Sequence, residues 1–220
     1  MFTSRMFCAK NLYKSTFLQH KYLSCWSCGK NSQNLTDNIL FCPNCKVLQK
    51  PVDKNYFKVM GVKETFDLNE SELAKKYKEL QKHLHPDKFA NRNKQEQEIS
   101  AEYSSLVNDA YKTLLDPLSR GIYMLNLLGK EIPEKTEVDN QFLMEIMEKN
   151  EEIENAESEA DILRLNEENK KILNDLQQKV SKAFFDGDLK SVLQLLGCMK
   201  YYTSIDTQIQ SSIRNKGIIR

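Results

Sequence analysis

Four cysteines near the amino terminus form two pairs with the spacing of a metal site. Cys25 and Cys28 frame the segment CWSC, Cys42 and Cys45 frame CPNC, and thirteen residues separate the pairs. Each pair can bind one ion from a tight turn, and the second turn completes a tetrahedron of thiolates. Two disulfides or a bound iron are the alternatives, and a reducing compartment disfavours the disulfides. The sequence predicts one structural zinc ion, because a closed site of four cysteines is usually structural.

A second candidate site is the segment KHLHPDKF, residues 82–89, with His85, Pro86 and Asp87 at its centre. A histidine beside a carboxylate can serve as a general base or a metal ligand. However, no serine or cysteine nucleophile accompanies His85, and no second titratable cluster lies within the motif to orient it. Proline makes the turn rigid, and the two polar side chains offer a donor and an acceptor to a partner. We therefore predict a recognition site and no enzyme. A turn that merely ends a helix is the alternative.

The composition predicts that helices position both sites. The chain has 220 residues with only 7 glycines and 5 prolines, and Lys, Glu, Leu and Gln fill long segments. The formal net charge of +1 gives no overall attraction to nucleic acids, and no apolar stretch is long enough to cross a bilayer. We therefore expect a soluble all-α protein that binds neither nucleic acid nor membrane.

Residues 1–24 have the composition of a mitochondrial transit peptide. The first acidic residue is Asp37, and every charged residue before it is Lys or Arg, with apolar residues at helical spacing between them. The apolar core of a secretory signal is missing. A disordered tail of accidental composition is the alternative. The sequence predicts a protein of the mitochondrial matrix.

Residues 53–128 show the pattern of a small helical domain. NYFKVMGV predicts a short helix that ends at Gly61, and Asn69 is a candidate N-cap for a second helix. A third helix returns from the turn after His85 and stops at Asp116–Pro117, where a fourth begins. Three lysines of the second helix lie off its apolar stripe: Lys75, Lys78 and Lys82.

Residues 139–216 follow a polar connector, residues 129–138, and show three further helical patterns. These patterns cover about residues 139–156, 159–184 and 188–214. Short connections between three helices predict an antiparallel bundle.

The first helix of this bundle carries more apolar residues than one packed face needs. In FLMEIMEKNEEIE, Phe142, Ile146 and Ile153 share the face that we assign to the core. The other apolar side chains and two neighbouring carboxylates form a candidate protein-binding patch: Leu143, Met144, Met147, Glu148 and Glu151. The alternative is that Leu143 and Met147 pack under the connector or against the preceding domain.

Residues 53–128 resemble a J domain, because His-Pro-Asp follows a basic helix and precedes a second helix with a matching apolar stripe. The order of NYFKVMGV, LHPDKF, LLDPLSRGIYMLNLLG and FLMEIMEKNEEIE further resembles the HscB-type J-protein of iron-sulfur cluster assembly. The tetracysteine module, residues 25–50, is similar to that of the animal mitochondrial members. The chain departs from the family pattern at Asn55, often an aspartate, and after Val62, where no proline follows. Both changes lie away from the His-Pro-Asp motif.

The resemblance implies a partner for each surface. It implies that a mitochondrial DnaK-type chaperone docks on the His-Pro-Asp turn and on the three lysines, and that this docking stimulates the ATPase of the chaperone. It implies that an IscU-type scaffold binds the patch on the first C-terminal helix, with Tyr201 as the nearest match to a contributing aromatic residue of the last helix. The chain is then a co-chaperone that promotes cluster transfer.

Two other functions are compatible with parts of the sequence. A general J-protein would serve unfolded clients. A zinc-ribbon nucleic-acid binder would use the lysine-rich helix for phosphate contacts, but only Lys30, Lys46 and Lys50 supply positive charge around the knuckles.

Overall fold

The computed structural model describes residues 23–32, 40–130 and 139–215. Its first part is a small module made of two knuckles. Strand β1 (Leu23–Ser24) pairs antiparallel with β2 (Asn31–Ser32) around the first cysteine pair. Around the second pair, Phe41 and Leu48 form an antiparallel bridge. All other regular structure in the described residues is helical, which confirms the predicted all-α fold.

The first two helices begin and end where the sequence indicates. The side chain of Asn55 accepts hydrogen bonds from the first turn of α1 (Tyr56–Met60), and Gly61 ends this helix with a φ of 64°. Asn69 caps α2 (Glu70–Leu84) by accepting a hydrogen bond of 3.1 Å from a backbone N–H of the first turn. Since asparagine and aspartate are equivalent N-caps, the departure at Asn55 leaves the start of α1 intact.

A short 3₁₀ helix (Pro86–Phe89) leads from α2 into α3 (Lys94–Leu115), which packs against α2. Asp116 then caps α4 (Pro117–Leu127). Apolar side chains of the first three helices and Leu48 of the second knuckle meet in one cluster, the N-terminal core, which includes Leu48, Phe57, Leu73, Leu84, Ile99, Tyr103, Val107 and Leu114. The apolar stripes predicted for α2 and α3 therefore face this core.

The C-terminal part consists of α5 (Asn140–Glu154), α6 (Glu159–Asp186) and α7 (Leu189–Asn215), all within about two residues of the predicted bounds. Gly187, with a φ of 72°, ends α6 and lets α7 return along it as a tight hairpin. Helix α5 packs on α7. Their buried side chains form the C-terminal core, which includes Ile146, Ile153, Ile162, Leu165, Val180, Val192, Leu196, Ile205 and Ile209.

The two halves meet at a junction where α4 packs against α7. A Cβ atom on Gly121 would lie 2.6 Å from Cδ2 of Leu196, so the absence of a side chain permits this close approach. Beside this contact, Phe66 stacks on Phe184 with 5.6 Å between ring centroids. The junction therefore fixes the first four helices against the C-terminal bundle.

Two predicted segments fall mainly on residues that the structure does not describe. Of the proposed transit peptide, residues 1–24, only the last two residues are described, and residues 131–138 of the connector are not. Among the described helices, none combines the length and apolar character required to cross a bilayer.

Candidate functional site

The four predicted metal ligands come together in the amino-terminal module. Their Sγ atoms all lie within 4.8 Å of one another. Cys25 and Cys45 are 3.6 Å apart and Cys28 and Cys42 are 3.9 Å apart, each distance joining one sulfur of the first knuckle to one of the second. A tetrahedron with metal–sulfur bonds of about 2.3 Å has sulfur–sulfur edges of about 3.8 Å. The donor set therefore fits a four-coordinate metal ion.

Hydrogen bonds to the sulfurs adapt them to this role. Burial of Cys25 opposes its ionisation, but hydrogen bonds from the backbone N–H groups of Cys28 and Ser27 lower its pKa to about 6. Gln49 also donates from Nε2 to the Cys25 sulfur over 3.4 Å. Despite a hydrogen bond from the backbone of Val47, burial and the three neighbouring sulfurs raise the pKa of Cys45 to about 11. Four thiolates this close repel one another, so a cation must balance their charge.

The His-Pro-Asp turn lies at the exposed end of the α2–α3 pair. His85 ends α2, and Pro86 opens the 3₁₀ helix, so the proline occupies a first-turn position that needs no N–H donor. The side chains of His85 and Asp87 are 56% and 90% exposed, with Nδ1 and Oδ2 3.5 Å apart. The turn therefore presents polar groups to solvent and buries none of them.

The three lysines of α2 are also exposed, and we call Lys75, Lys78 and Lys82 the basic face. Next to this face, α2 and α3 are joined by a polar network that the sequence analysis missed. Asn108 accepts hydrogen bonds from Tyr77 (2.9 Å) and Gln81 (2.7 Å), and Ser104 donates to Gln81 over 3.2 Å. The signal was present as two polar pairs, each four residues apart, on facing helices.

The predicted patch on α5 is partly exposed. Met144 and Met147 are each 62% exposed, and Glu148 and Glu151 are exposed beside them. Leu143 is half-buried. The exposure of Met147 argues against the alternative that this side chain packs against other described residues.

An aromatic cluster supports this patch from α7. The ring of Tyr201 contacts Phe142 edge-on, with 5.6 Å between centroids. The neighbouring Tyr202 is buried and donates a hydrogen bond of 2.5 Å to Glu145. Burial and this hydrogen bond raise the pKa of Tyr202. Phe142 packs against the C-terminal core, while Ile146 and Ile153 lie within it, as predicted for the buried face of α5.

Family models match all three regions of the chain that carry these residues. A co-chaperone HscB tetracysteine metal binding motif matches residues 24–49, a DnaJ domain matches residues 55–123, and an HSCB C-terminal oligomerisation domain matches residues 138–210. The human iron-sulfur cluster co-chaperone protein HscB is 41% identical over 192 residues, which cover 86% of this chain and 82% of the human protein. The chain belongs to the HscB family of co-chaperones.

Other HscB proteins extend this similarity. The Arabidopsis thaliana homolog is 31% identical over 204 residues, which cover 91% of this chain and 75% of that protein. The crystal structure of human HscB matches with a TM-score of 0.80 at 40% identity, over 86% of this chain and 98% of the human structure. HscB from Vibrio cholerae matches with a TM-score of 0.67 at 27% identity, over 73% of this chain and 98% of that structure.

These relatives confirm the HscB-type resemblance and the prediction of a co-chaperone instead of an enzyme. They also confirm a tetracysteine metal-binding motif. The assignment of single residues to the chaperone and the scaffold stays a prediction.

Proposed function

We propose that this HscB-family chain binds an IscU-type iron-sulfur scaffold through its C-terminal bundle and stimulates the ATPase of a DnaK-type chaperone through its J domain. The observation that carries the proposal is the exposure of two chemically different surfaces on one folded chain. One is the polar His-Pro-Asp turn with its basic face, and the other is the apolar patch around Met144 and Met147. Such a chain can bring cargo and chaperone together by binding both at once.

On the chaperone side, we propose that charge and shape act in sequence. The basic face attracts an acidic surface of the chaperone over several ångströms, which raises the rate of association. His85, Pro86 and Asp87 then make the short-range contacts, because the proline holds two exposed polar side chains in a fixed turn. Chaperone contacts to this turn couple docking to ATP hydrolysis.

On the scaffold side, we propose that Met144 and Met147 supply the apolar contact, with Leu143 and Tyr201 at its edge. Methionine side chains are flexible and polarizable, so they can adapt their shape to the surface of a partner. Glu148 and Glu151 border the patch and favour a scaffold surface that carries basic residues.

The junction between α4 and α7 supports the coupling of the two events. Besides the Gly121 contact and the stacked phenylalanines, Ser181 of the bundle donates a hydrogen bond of 2.5 Å to Asp67 of the J domain. A scaffold bound to α5 is therefore held at a defined distance from a chaperone bound at the turn. This arrangement raises the effective concentration of cargo at the chaperone.

We further propose that the four cysteines hold one zinc ion and that the protein works in the mitochondrial matrix. Sulfur spacings of 3.6 and 3.9 Å suit zinc, and no side chain other than the four cysteines is required as a ligand. Iron fits the same sulfurs, so metal analysis and the visible spectrum of the purified protein distinguish the two metals. The acid-free composition of residues 1–24 supports the matrix location, which a fluorescent fusion with and without this segment tests.

The test of the main proposal combines ATPase and binding assays on the full chain. The wild type should stimulate the chaperone ATPase and bind the scaffold, while a denatured protein and an oligonucleotide should compete poorly for the scaffold surface. His85→Gln should lose stimulation yet keep scaffold binding and helical content, since His85 is exposed and outside both cores. Full stimulation by His85→Gln would refute the docking role of the turn. Preferential binding of the denatured protein would instead indicate a general J-protein.

A further inference from the structure

The tetracysteine module is joined to the core of the J domain by apolar side chains: Leu48 lies within this core, and Trp26, Leu40 and Phe41 pack against it. Leu48 follows the second knuckle, is 0% exposed and lies in the N-terminal core among side chains of α1, α2 and α3. Trp26 of the first knuckle donates from Nε1 to the backbone oxygen of Leu48 over 2.8 Å. Both knuckles therefore hold the residue that anchors the module to the J domain.

A second side chain of the same hairpin reaches the docking helix. Phe41 is the bridge partner of Leu48 and directly precedes the metal ligand Cys42. Its ring meets the ring of His83 edge-on, with 6.5 Å between centroids and 74° between planes. Edge-on aromatic pairs at about 4.5–7 Å attract each other. The module thus contacts the last turn of α2, two residues before His85.

The contact leaves the docking surface open. With 100° per residue, His83 lies about 80–140° around α2 from the three lysines of the basic face. Helix α3 holds the same turn through a buried hydrogen bond of 2.8 Å from Ser100 Oγ to the backbone oxygen of Leu84. The final turn of α2 is therefore held by two contacts, while its outer face stays accessible.

This arrangement matters because helix ends fray. A turn that must present His85 and Asp87 in one conformation binds more tightly when that conformation is already populated. The fold of the knuckle around Cys42 depends on the metal, since closed cysteine sites fold their own short loops. A metal-folded knuckle therefore places Phe41 where it can restrain the end of α2.

We propose that Phe41 is a positioning residue for chaperone docking: the metal-folded knuckle holds its ring against His83 and so keeps the His-Pro-Asp turn in its binding conformation. The proposal rests on the chaperone-docking function proposed above. It assigns the metal module a role in docking strength, separate from scaffold binding by α5.

The test uses Phe41→Ala in the full metal-loaded chain. We expect faster amide hydrogen exchange across residues 82–89 and a dissociation constant for the chaperone that rises by about two- to tenfold, the range that the loss of one aromatic pair allows. ATPase stimulation at saturating co-chaperone, bound metal and scaffold affinity should not change. Phe41→Tyr keeps the aromatic edge and should restore wild-type values. Val52→Ala, at a 60% exposed apolar position near the module, is the matched control.

A double-mutant cycle decides whether the contact itself is responsible. His83→Ala should reproduce the effect of Phe41→Ala, and the double variant should be no worse than either alone. Unchanged exchange at residues 82–89, or additive effects of the two substitutions, would overturn the proposal. Loss of metal from Phe41→Ala would assign Phe41 a purely structural role and also overturn it. If the wild type fails to bind any DnaK-type chaperone, the proposed function fails, while the exchange measurement still tests the contact.

Discussion

Truncation of the exposed methionines of α5 offers a quantitative test of the proposed scaffold-binding patch. Burying a whole methionine side chain stabilises by about 1.5–3 kcal/mol. Met144 and Met147 are each 62% exposed in the free protein, so that share is available for binding a partner. If the scaffold covers both side chains, Met144→Ala with Met147→Ala should weaken binding by about 2–4 kcal/mol, or about 25- to 700-fold in the dissociation constant.

The same exposure limits the effect on folding. The buried share of the two side chains corresponds to about 1–2 kcal/mol of unfolding free energy, which lowers the melting temperature by a few degrees. Ile146→Ala is the matched control on the same helix, because Ile146 is buried in the C-terminal core. It should cost about 2–5 kcal/mol of stability and leave the scaffold affinity of the folded protein nearly unchanged.

Calorimetric titration with an IscU-type scaffold and thermal unfolding followed by circular dichroism measure both quantities. A double-methionine variant that binds within about twofold of the wild type would refute the assignment of this patch. So would a melting temperature as low as that of Ile146→Ala, because the methionines would then be core residues.

Three further predictions test the other sites. Alanine substitution of the whole basic face should slow chaperone association most at low ionic strength, because salt screens exposed charges. Stopped-flow measurements across a salt series check this. An equal loss of association rate at every salt concentration would indicate misfolding. Cys42→Ser should release about one metal ion per chain and, because Leu48 is anchored in the N-terminal core, also lower the melting temperature of the J domain, as metal analysis and circular dichroism can show. The pKa of Tyr202 is raised in the folded state, so its contribution to stability is present below its ordinary value of 10.0 and is lost as the pH rises through the folded-state value. Unfolding titrations on both sides of that pH should therefore show a steeper alkaline loss for the wild type than for Tyr202→Phe.

Much of the fold could be predicted because its determinants are local. Asn69 caps α2 through a hydrogen bond three residues ahead, and Gly61 and Gly187 end helices through their own positive φ. The metal site could likewise be predicted from the spacing of the four cysteines alone. Such features depend on a few neighbouring residues, so a short stretch of sequence is enough to recognise them.

Contacts between distant segments could not be predicted in this way. The sequence places a domain boundary near residue 52, yet Leu48 belongs to the N-terminal core together with Leu73 and Leu114. A lone apolar residue in a loop has no periodicity that assigns it to a core. The pairing of Phe41 with His83 was hidden for the same reason, since 42 positions of chain separate two residues that each look like surface positions.

The close contact at Gly121 restricts how this protein can exchange parts with others. If a J domain exchanged into this chain carried a residue with a side chain at position 121, its Cβ would lie 2.6 Å from Cδ2 of Leu196 and 3.2 Å from the ring of Phe66, so one of these side chains would have to move. Leu196 is fully buried and Phe66 stacks on Phe184, so a displacement of either side chain would disturb the packing of α4 against α7. A chimaera could then retain both binding activities and still transfer clusters poorly. The two surfaces can therefore change independently of each other, but the residues that pack α4 against α7 have to change together.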